Sequence, residues 1–208
     1  MVSVVLNQSS LLSDILNSPF ARLLELLSRL TENESLKQNA RKAAVISILI
    51  QEPTEEPKIV LIKRNDYDGH HSGQMAFPGG KKEDSDENLR QTAIREVEEE
   101  IGIRLSEEQL IELNPHWVHV SNFWIQPYFV ILDKKLDYRI NKREINRIFE
   151  IPVAFFQQAD SLDYHELTFM QEKITAPRYF YESEEIWGAT AIMLYQLIQQ
   201  LDSHIRNE

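Results

Sequence analysis

The 208-residue chain contains no cysteine. This absence excludes disulfide bridges, thiolate zinc sites, iron–sulfur clusters and a cysteine nucleophile. Basic residues are also scarce: 22 Lys and Arg stand against 33 Asp and Glu, so the formal net charge is −11. Because nucleic acid is a polyanion and no segment concentrates basic residues, we expect no nucleic-acid partner. A polyanionic small-molecule partner would need metal cations to supply the missing positive charge.

Long apolar runs are missing as well. No stretch approaches the roughly 18 residues of a membrane-spanning helix, and residues 1–10 lack the basic segment and apolar core of a signal peptide. We therefore expect a cytoplasmic protein without a membrane partner. The length and an apolar fraction of 42% are typical of one globular domain.

Glycine is sparse but clustered. The chain has six glycines, and five of them fall between positions 69 and 102. Glycine permits a positive φ and a close approach of the backbone to a ligand. The cluster therefore indicates either a ligand-binding segment or an ordinary turn-rich surface loop.

The hydrophobic pattern predicts an α+β domain over residues 41–208, preceded by a helical extension over residues 1–40. In the extension, five apolar residues recur every three or four positions, which is the period of a helix face: Phe20, Leu23, Leu24, Leu27 and Leu30. This stripe is expected to cover either the body of the domain or a second copy of the chain. A homodimer is therefore one expectation.

Strands and helices alternate in the main domain. Two β-branched runs, Ala43–Ile50 and Ile59–Arg64, predict a hairpin. A helix is predicted over Asp84–Ile101, with Asp84 as its cap and Gly102 ending it. Its apolar stripe is expected at every fourth position: Leu89, Ala93, Val97 and Ile101. Further strands are predicted at Trp117–Val120, Trp124–Leu132, Phe149–Val153, Ile174 and Arg178–Tyr181, and a closing helix at Ile186–Ile205.

Three glutamates share one face of the helix predicted over 84–101. Glu96, Glu99 and Glu100 are spaced i, i+3 and i+4, so they span roughly 100° of the helix surface. Like charges at this spacing destabilise a helix. The face is either solvated or a site for a hard cation such as Mg²⁺ or Mn²⁺. The nearby Gly79-Gly80 favours a site, because exposed backbone groups beside metal ligands can bind phosphate.

Segment 77–103 resembles the Nudix box, in which G, five residues, E and seven residues precede R-E-U-x-E-E-x-G-U, with U aliphatic. Arg95–Ile103, REVEEEIGI, matches every fixed position of the second half. Counting back from Arg95 places the earlier glutamate at Glu87. The same count places the glycine at Lys81, whereas the glycine is Gly80, so the loop is one residue longer. The resemblance implies a Nudix-like α/β/α sandwich with a mixed sheet.

The longer loop resembles that of the coenzyme A pyrophosphatase subfamily. Gly73–Gly80, GQMAFPGG, matches the upstream motif of that subfamily, and Val60–Arg64, VLIKR, matches in part. The chain departs from the pattern at Gly69, where the subfamily has an arginine, and at Ile62, where it has a threonine.

The resemblance implies the roles of the site residues. Glu96, Glu99 and Glu100 would bind Mg²⁺ or Mn²⁺ together with the carbonyl of Gly80. Arg95 would orient the site by pairing with Glu87 or with a ligand carboxylate. The general base would be a box glutamate or the distant Glu144, which has the alternative of being a surface helix residue. Glu83 and Asp86 would cap the helix or extend the metal site. The substrate contacts implied are Arg64, His71, Gly79, Gly80 and Lys81.

Three functions remain open from the sequence. The first is hydrolysis of coenzyme A or acyl-coenzyme A to adenosine 3′,5′-bisphosphate and (acyl-)phosphopantetheine. The second is the same chemistry on ADP-ribose, a dinucleotide polyphosphate or a nucleoside triphosphate. The third is a Nudix-fold binding module without turnover, which the intact acidic box disfavours.

Overall fold

The computed structural model describes residues 19–65 and 73–205. The helices are α1 (Ala21–Thr31), α2 (Glu34–Asn39), α3 (Leu89–Ile101), α4 (Val153–Gln157) and α5 (Gly188–Ile205). The strands are β1 (Arg41–Ile50), β2 (Lys58–Arg64), β3 (Met75–Ala76), β4 (Gly79–Lys81), β5 (Ile111–Glu112), β6 (His116–Val118), β7 (Phe123–Leu132), β8 (Ile145–Pro152), β9 (Leu162–Phe169), β10 (Glu172–Tyr181) and β11 (Glu184–Ile186).

Strand β1 is the centre of a mixed sheet with the order β3-β2-β1-β7-β5. It runs parallel to β7 over its whole length, from Arg41 opposite Phe123 to Ile50 opposite Leu132. On its other edge it pairs antiparallel with β2 near its end and with β4 near its start. Strands β6 and β8 pair with β7 and β2, respectively. The predicted β1–β2 hairpin is confirmed.

The central sheet is covered on both faces. Ala44, Ile46 and Ile48 of β1 pack on the side that carries α3, whereas Leu49 packs on the side that carries α5. Strands β9, β10 and β11 form a second antiparallel sheet, which joins the core on the α5 side. The predicted α/β/α sandwich with a mixed sheet is therefore confirmed.

The apolar stripe of α1 packs against the body of the domain. Leu23 and Leu27 contact Ile174 and Ala176 of β10, and Phe20 and Leu24 pack with Tyr195 of α5. The stripe behind the homodimer expectation is thus buried within the chain. The predicted extension also includes residues 1–18, which lie outside the described residues. Among the described helices, none is both long and apolar enough to cross a membrane.

Several predicted element boundaries are wrong. Helix α3 begins at Leu89 rather than Asp84, because Asn88 is its cap: the Asn88 side chain accepts a hydrogen bond from Gln91 N at 2.9 Å. The closing helix begins at Gly188 rather than Ile186, and β8 begins four residues before the predicted Phe149. Strand β9 was not predicted, because its exposed and half-buried residues alternate without a continuous apolar run.

The packing of α1 can be tested by shortening one buried side chain. Leu23 is 2% exposed, so Leu23→Ala should lower the free energy of unfolding by about 2–5 kcal/mol, through lost burial and the cavity left behind. Ser28→Ala, at an exposed position of the same helix, should change it by less than about 0.5 kcal/mol. Urea denaturation measures both, and equal values for the two variants would contradict the packing.

Candidate active site

The two glycines of β4 bring backbone close to other groups. Gly79 and Gly80 pair with Val45 and Ala44 of β1. Gly79 has a φ of +145°, and a Cβ there would lie 2.6 Å from the Val45 Cα. A Cβ on Gly80 would lie 2.5 and 2.6 Å from the two carboxylate oxygens of Glu96. Gly79 is required because a Cβ there would meet the backbone of β1, whereas a Cβ on Gly80 would displace the Glu96 carboxylate from its place beside β4.

Helix α3 presents two of its three glutamates, Glu96 and Glu100, to this glycine strand. Ala93, Val97 and Ile101 are fully buried against the sheet, as the predicted apolar stripe requires. This orientation leaves the glutamates on the edge of the helix with graded exposure. The side chain of Glu100 is 0% exposed, that of Glu96 is 14% and that of Glu99 is 54%.

The buried Glu100 carboxylate is only partly compensated. Gly79 N donates a hydrogen bond of 2.8 Å to Glu100 Oε2. Arg64 Nη2 lies 3.2 Å from Glu100 Oε1, but Oε1 accepts no hydrogen bond. The same Arg64 nitrogen donates to Gly79 O at 2.6 Å. Burial raises the pKa of Glu100 to about 7, despite the opposing effect of Arg64. Burial also raises the pKa of Glu96.

Arg95 forms hydrogen bonds with the other two glutamates. Its Nη1 donates to Glu96 Oε1 at 3.1 Å and to Glu99 Oε2 at 3.2 Å, and its Nη2 donates to Lys81 O at 3.1 Å. Of the two kinds of partner expected for Arg95, the structure shows the carboxylates that are predicted to bind metal, Glu96 and Glu99. Glu87 is the wrong partner, since its carboxylate is exposed and accepts instead from Gln91 Nε2 at 3.3 Å.

The donor set fits a divalent cation such as Mg²⁺ or Mn²⁺. Carboxylate and carbonyl oxygens are the ligands that hard cations prefer, and Glu100 Oε1 is a buried oxygen without a hydrogen-bond donor. Over residues 19–65 and 73–205, however, no three His, Asp or Glu side chains are gathered in a geometry that would hold an ion. Instead, Glu96 and Glu99 contact Arg95, and Glu100 contacts Gly79 and Arg64.

Glu144 lies in the loop that precedes β8, so its alternative interpretation as a helix residue is wrong. Asn141 Nδ2 donates to Glu144 Oε1 at 3.1 Å, and Asn141 N donates to Glu100 O at 2.9 Å. The negative charge of Glu144 contributes to the raised pKa of Glu100. Asn141 thus connects Glu144 to α3. No sequence motif predicted Asn141, because its contact with Glu100 spans 41 positions of the chain.

Only some of the predicted substrate-contact residues lie at the site. Arg64, Gly79 and Gly80 lie at the site, whereas Lys81 is exposed and contributes its carbonyl to Arg95. His71 lies outside the described residues, as does Gly69, so its substrate contact stays a prediction.

Comparisons with known proteins identify the family. A model of the NUDIX domain matches residues 40–176. The Nudix hydrolase NudL of Yersinia pestis (strain Pestoides F) is 33% identical over 193 residues, which are 91% of this chain and 94% of the relative. NudL of Yersinia pseudotuberculosis (strain YPIII) has the same identity and coverage.

The chain belongs to the Nudix hydrolases. Two solved structures share the fold. A MutT/nudix family protein from Enterococcus faecalis has a TM-score of 0.53 and 16% identity over 82% of this chain, which spans only 63% of that protein. The NUDIX domain of Shewanella oneidensis NrtR, solved with ADP ribose, has a TM-score of 0.53 and 15% identity, with 80% and 88% of the two chains covered. Family membership indicates a diphosphate hydrolase that acts on small-molecule nucleotide substrates with a divalent metal ion.

The cost of burying Glu100 predicts a pH-dependent stability. Its pKa in the folded chain is above the ordinary value of 4.5, so its contribution to stability falls as the pH rises from about 4.5 to about 7. In Glu100→Gln an amide oxygen can still accept from Gly79 N. With chelator at pH 8, this variant should be more stable than the parent by about 1–3 kcal/mol.

Urea denaturation at pH 8 and at pH 5 measures this difference, which should shrink at pH 5. Glu98→Gln provides the matched control, because Glu98 is an exposed glutamate of the same helix that pairs with Arg104. A loss of stability in Glu100→Gln at pH 8 would show that the charged carboxylate is fully compensated, contrary to the prediction.

Proposed function

We propose that this protein hydrolyses the diphosphate of coenzyme A or acyl-coenzyme A, yielding adenosine 3′,5′-bisphosphate and (acyl-)phosphopantetheine. The observation that supports this substrate is the motif Gly73–Gly80, GQMAFPGG, followed by a box that is one residue longer than the common form. Both features resemble the coenzyme A pyrophosphatase subfamily. The longer loop includes a turn over residues 83–86 and leaves Gly80 against Glu96.

In this proposal, Glu96, Glu99, Glu100 and the carbonyl of Gly80 hold Mg²⁺ or Mn²⁺. When bound, such an ion would supply positive charge against the diphosphate and Lewis-acid activation of a phosphoryl oxygen and of a water molecule. Two arginines would orient these carboxylates. Arg95 donates to Glu96 and Glu99, and Arg64 pairs with Glu100.

Glu144 is proposed as the general base. A water oxygen forms a bond to one phosphorus, the bridging P–O bond breaks, and the water proton passes to the carboxylate of Glu144. The exposed position of Glu144 suits contact with a bound substrate, and Asn141 Nδ2 limits its rotation. A box glutamate is the alternative base.

A second candidate is the same reaction on another nucleotide, such as ADP-ribose. The observation in its favour is Gly69, which stands where the coenzyme A subfamily has an arginine. Without that arginine, one bidentate contact to a substrate phosphate is lost. Either substrate requires the same site, so the two candidates differ only in the recognition of the leaving group.

A product assay distinguishes these substrates. Coenzyme A, ADP-ribose and a nucleoside triphosphate are incubated separately with Mg²⁺, with Mn²⁺ and with chelator. We expect adenosine 3′,5′-bisphosphate to appear only with metal, and fastest turnover with coenzyme A. Faster turnover of ADP-ribose or the triphosphate would overturn the coenzyme A assignment but retain the reaction. No turnover of any of them by folded protein would favour a binding module.

The metal-ligand role of Glu99 can be tested against its neighbour Glu98. Glu99 is half-exposed, so Glu99→Gln should leave the fold intact while lowering kcat by on the order of 10² or more. Glu98→Gln makes the same chemical change on the same turn and should alter kcat by less than about threefold. Steady-state kinetics measures both, and equal kcat values would remove Glu99 from the proposed metal site.

A further inference from the structure

The most complete ion pair of Arg95 is with Asp86 rather than with a box glutamate. Arg95 Nε donates to Asp86 Oδ1 at 2.9 Å and Nη2 donates to Asp86 Oδ2 at 2.9 Å. This bidentate arrangement fixes the plane of the guanidinium and not just its distance. It also uses Nε and one terminal nitrogen, which leaves Nη1 directed at Glu96 and Glu99.

Asp86 is itself held firmly. Its side chain is 5% exposed. Oδ2 also accepts from Glu83 N at 2.9 Å and from the hydroxyl of the buried Thr92 at 2.9 Å. The Arg95 guanidinium, followed by these hydrogen bonds, holds the pKa of Asp86 well below its usual range. These contacts therefore favour the ionised form of Asp86.

The longer loop explains why Asp86 occupies this position. Asp86 N donates to Glu83 O at 3.1 Å, so residues 83–86 form a turn that the Asp86 carboxylate closes a second time through Glu83 N. This turn places Asp86 beneath Arg95 and leaves Glu87, the residue that the box spacing selects, in solvent. Lys82 Nζ donates to Asp86 O and further fixes the turn.

We infer that Asp86 is a positioning residue of the metal site: through Arg95, it sets where the carboxylates of Glu96 and Glu99 lie. The inference rests on the proposed function, since it assumes that these glutamates bind a metal ion. Asp86 also neutralises Arg95 from the side opposite the glutamates. Without that anion, Arg95 would pair more strongly with Glu96 and Glu99 and compete with the cation for their oxygens.

The test is the affinity of the folded protein for Mn²⁺ without substrate, measured from the electron paramagnetic resonance signal of free Mn²⁺. Asp86→Asn retains the shape of the side chain and an oxygen for Glu83 N, but loses the charge. It should weaken Mn²⁺ binding by about 10-fold or more, and lower kcat similarly with KM changed by less than about threefold. Asp84→Asn makes the same change at an exposed position of the same turn and should leave both unchanged.

Glu87→Gln separates this inference from the common box arrangement. If Asp86 positions Arg95, Glu87→Gln should weaken Mn²⁺ binding far less than Asp86→Asn does. A larger effect of Glu87→Gln, or Mn²⁺ affinity of Asp86→Asn equal to that of Asp84→Asn, would overturn the inference while the proposed function stands. A parent protein that neither binds Mn²⁺ nor hydrolyses a diphosphate would overturn the proposed function, and this inference with it.

A milder variant covers the case in which Asp86→Asn does not fold. Thr92→Val removes only the hydroxyl that donates to Asp86 Oδ2 and retains the side-chain volume. It should weaken Mn²⁺ binding about two- to fivefold, because the carboxylate keeps its charge and its pair with Arg95. Unchanged Mn²⁺ affinity in Thr92→Val together with an unfolded Asp86→Asn would assign Asp86 a role in folding alone and overturn the inference.

Discussion

The guanidinium of Arg95 holds three carboxylates in one place that would otherwise repel one another. Two unit charges 4 Å apart repel by about 4 kcal/mol at the effective dielectric constant of a protein surface. Asp86 fixes the plane of the guanidinium, and Glu96 and Glu99 both accept hydrogen bonds from Nη1 of Arg95. Helix α3 can therefore carry acidic residues at i and i+3, Glu96 and Glu99, near its C-terminal end, where the helix dipole also disfavours them.

The sheet determines how deeply each glutamate of α3 is buried. Ala93, Val97 and Ile101 pack against β1 and thereby set the orientation of α3 about its axis. In this orientation Glu100 is buried and Glu99 is half-exposed. Because Glu100 is buried without a full set of donors, its charged form is costly. In the proposed metal site, a bound cation would offset that cost and would couple metal binding to the stability of the fold at this residue.

The loop between β7 and β8 fixes the C-terminal end of α3. Arg139 N donates to Ile101 O and Asn141 N donates to Glu100 O, each at 2.9 Å, so two carbonyls at the C-terminus of α3 are satisfied from outside the helix. Gly102 adopts a φ of +75° beside Arg139, where a Cβ would lie 2.6 Å from the Arg139 Cβ. The same loop carries Glu144, so its position relative to Glu100 follows from the capping of the helix.

Local pattern was sufficient for part of the site and misleading for another part. The spacing of Ala93, Val97 and Ile101 predicted the buried face of α3 and hence the common face of its glutamates. Counting along the box selected Glu87 as a partner of Arg95, but the count assumes a loop of fixed shape, and the turn over residues 83–86 moves Asp86 into that place. The start of α3 was misplaced for the same reason, since Asp84 lies within that turn and Asn88 provides the cap.

The sequence by itself determined the family, the α/β/α architecture and the shared helix face of Glu96, Glu99 and Glu100, because helix periodicity and box spacing are properties of neighbouring residues. Only the tertiary structure decided which carboxylate holds Arg95, how unequally the three glutamates are buried and what covers the apolar stripe of α1. These features depend on contacts between residues distant in the chain, and burial and electrostatic energy are set by such contacts rather than by local pattern.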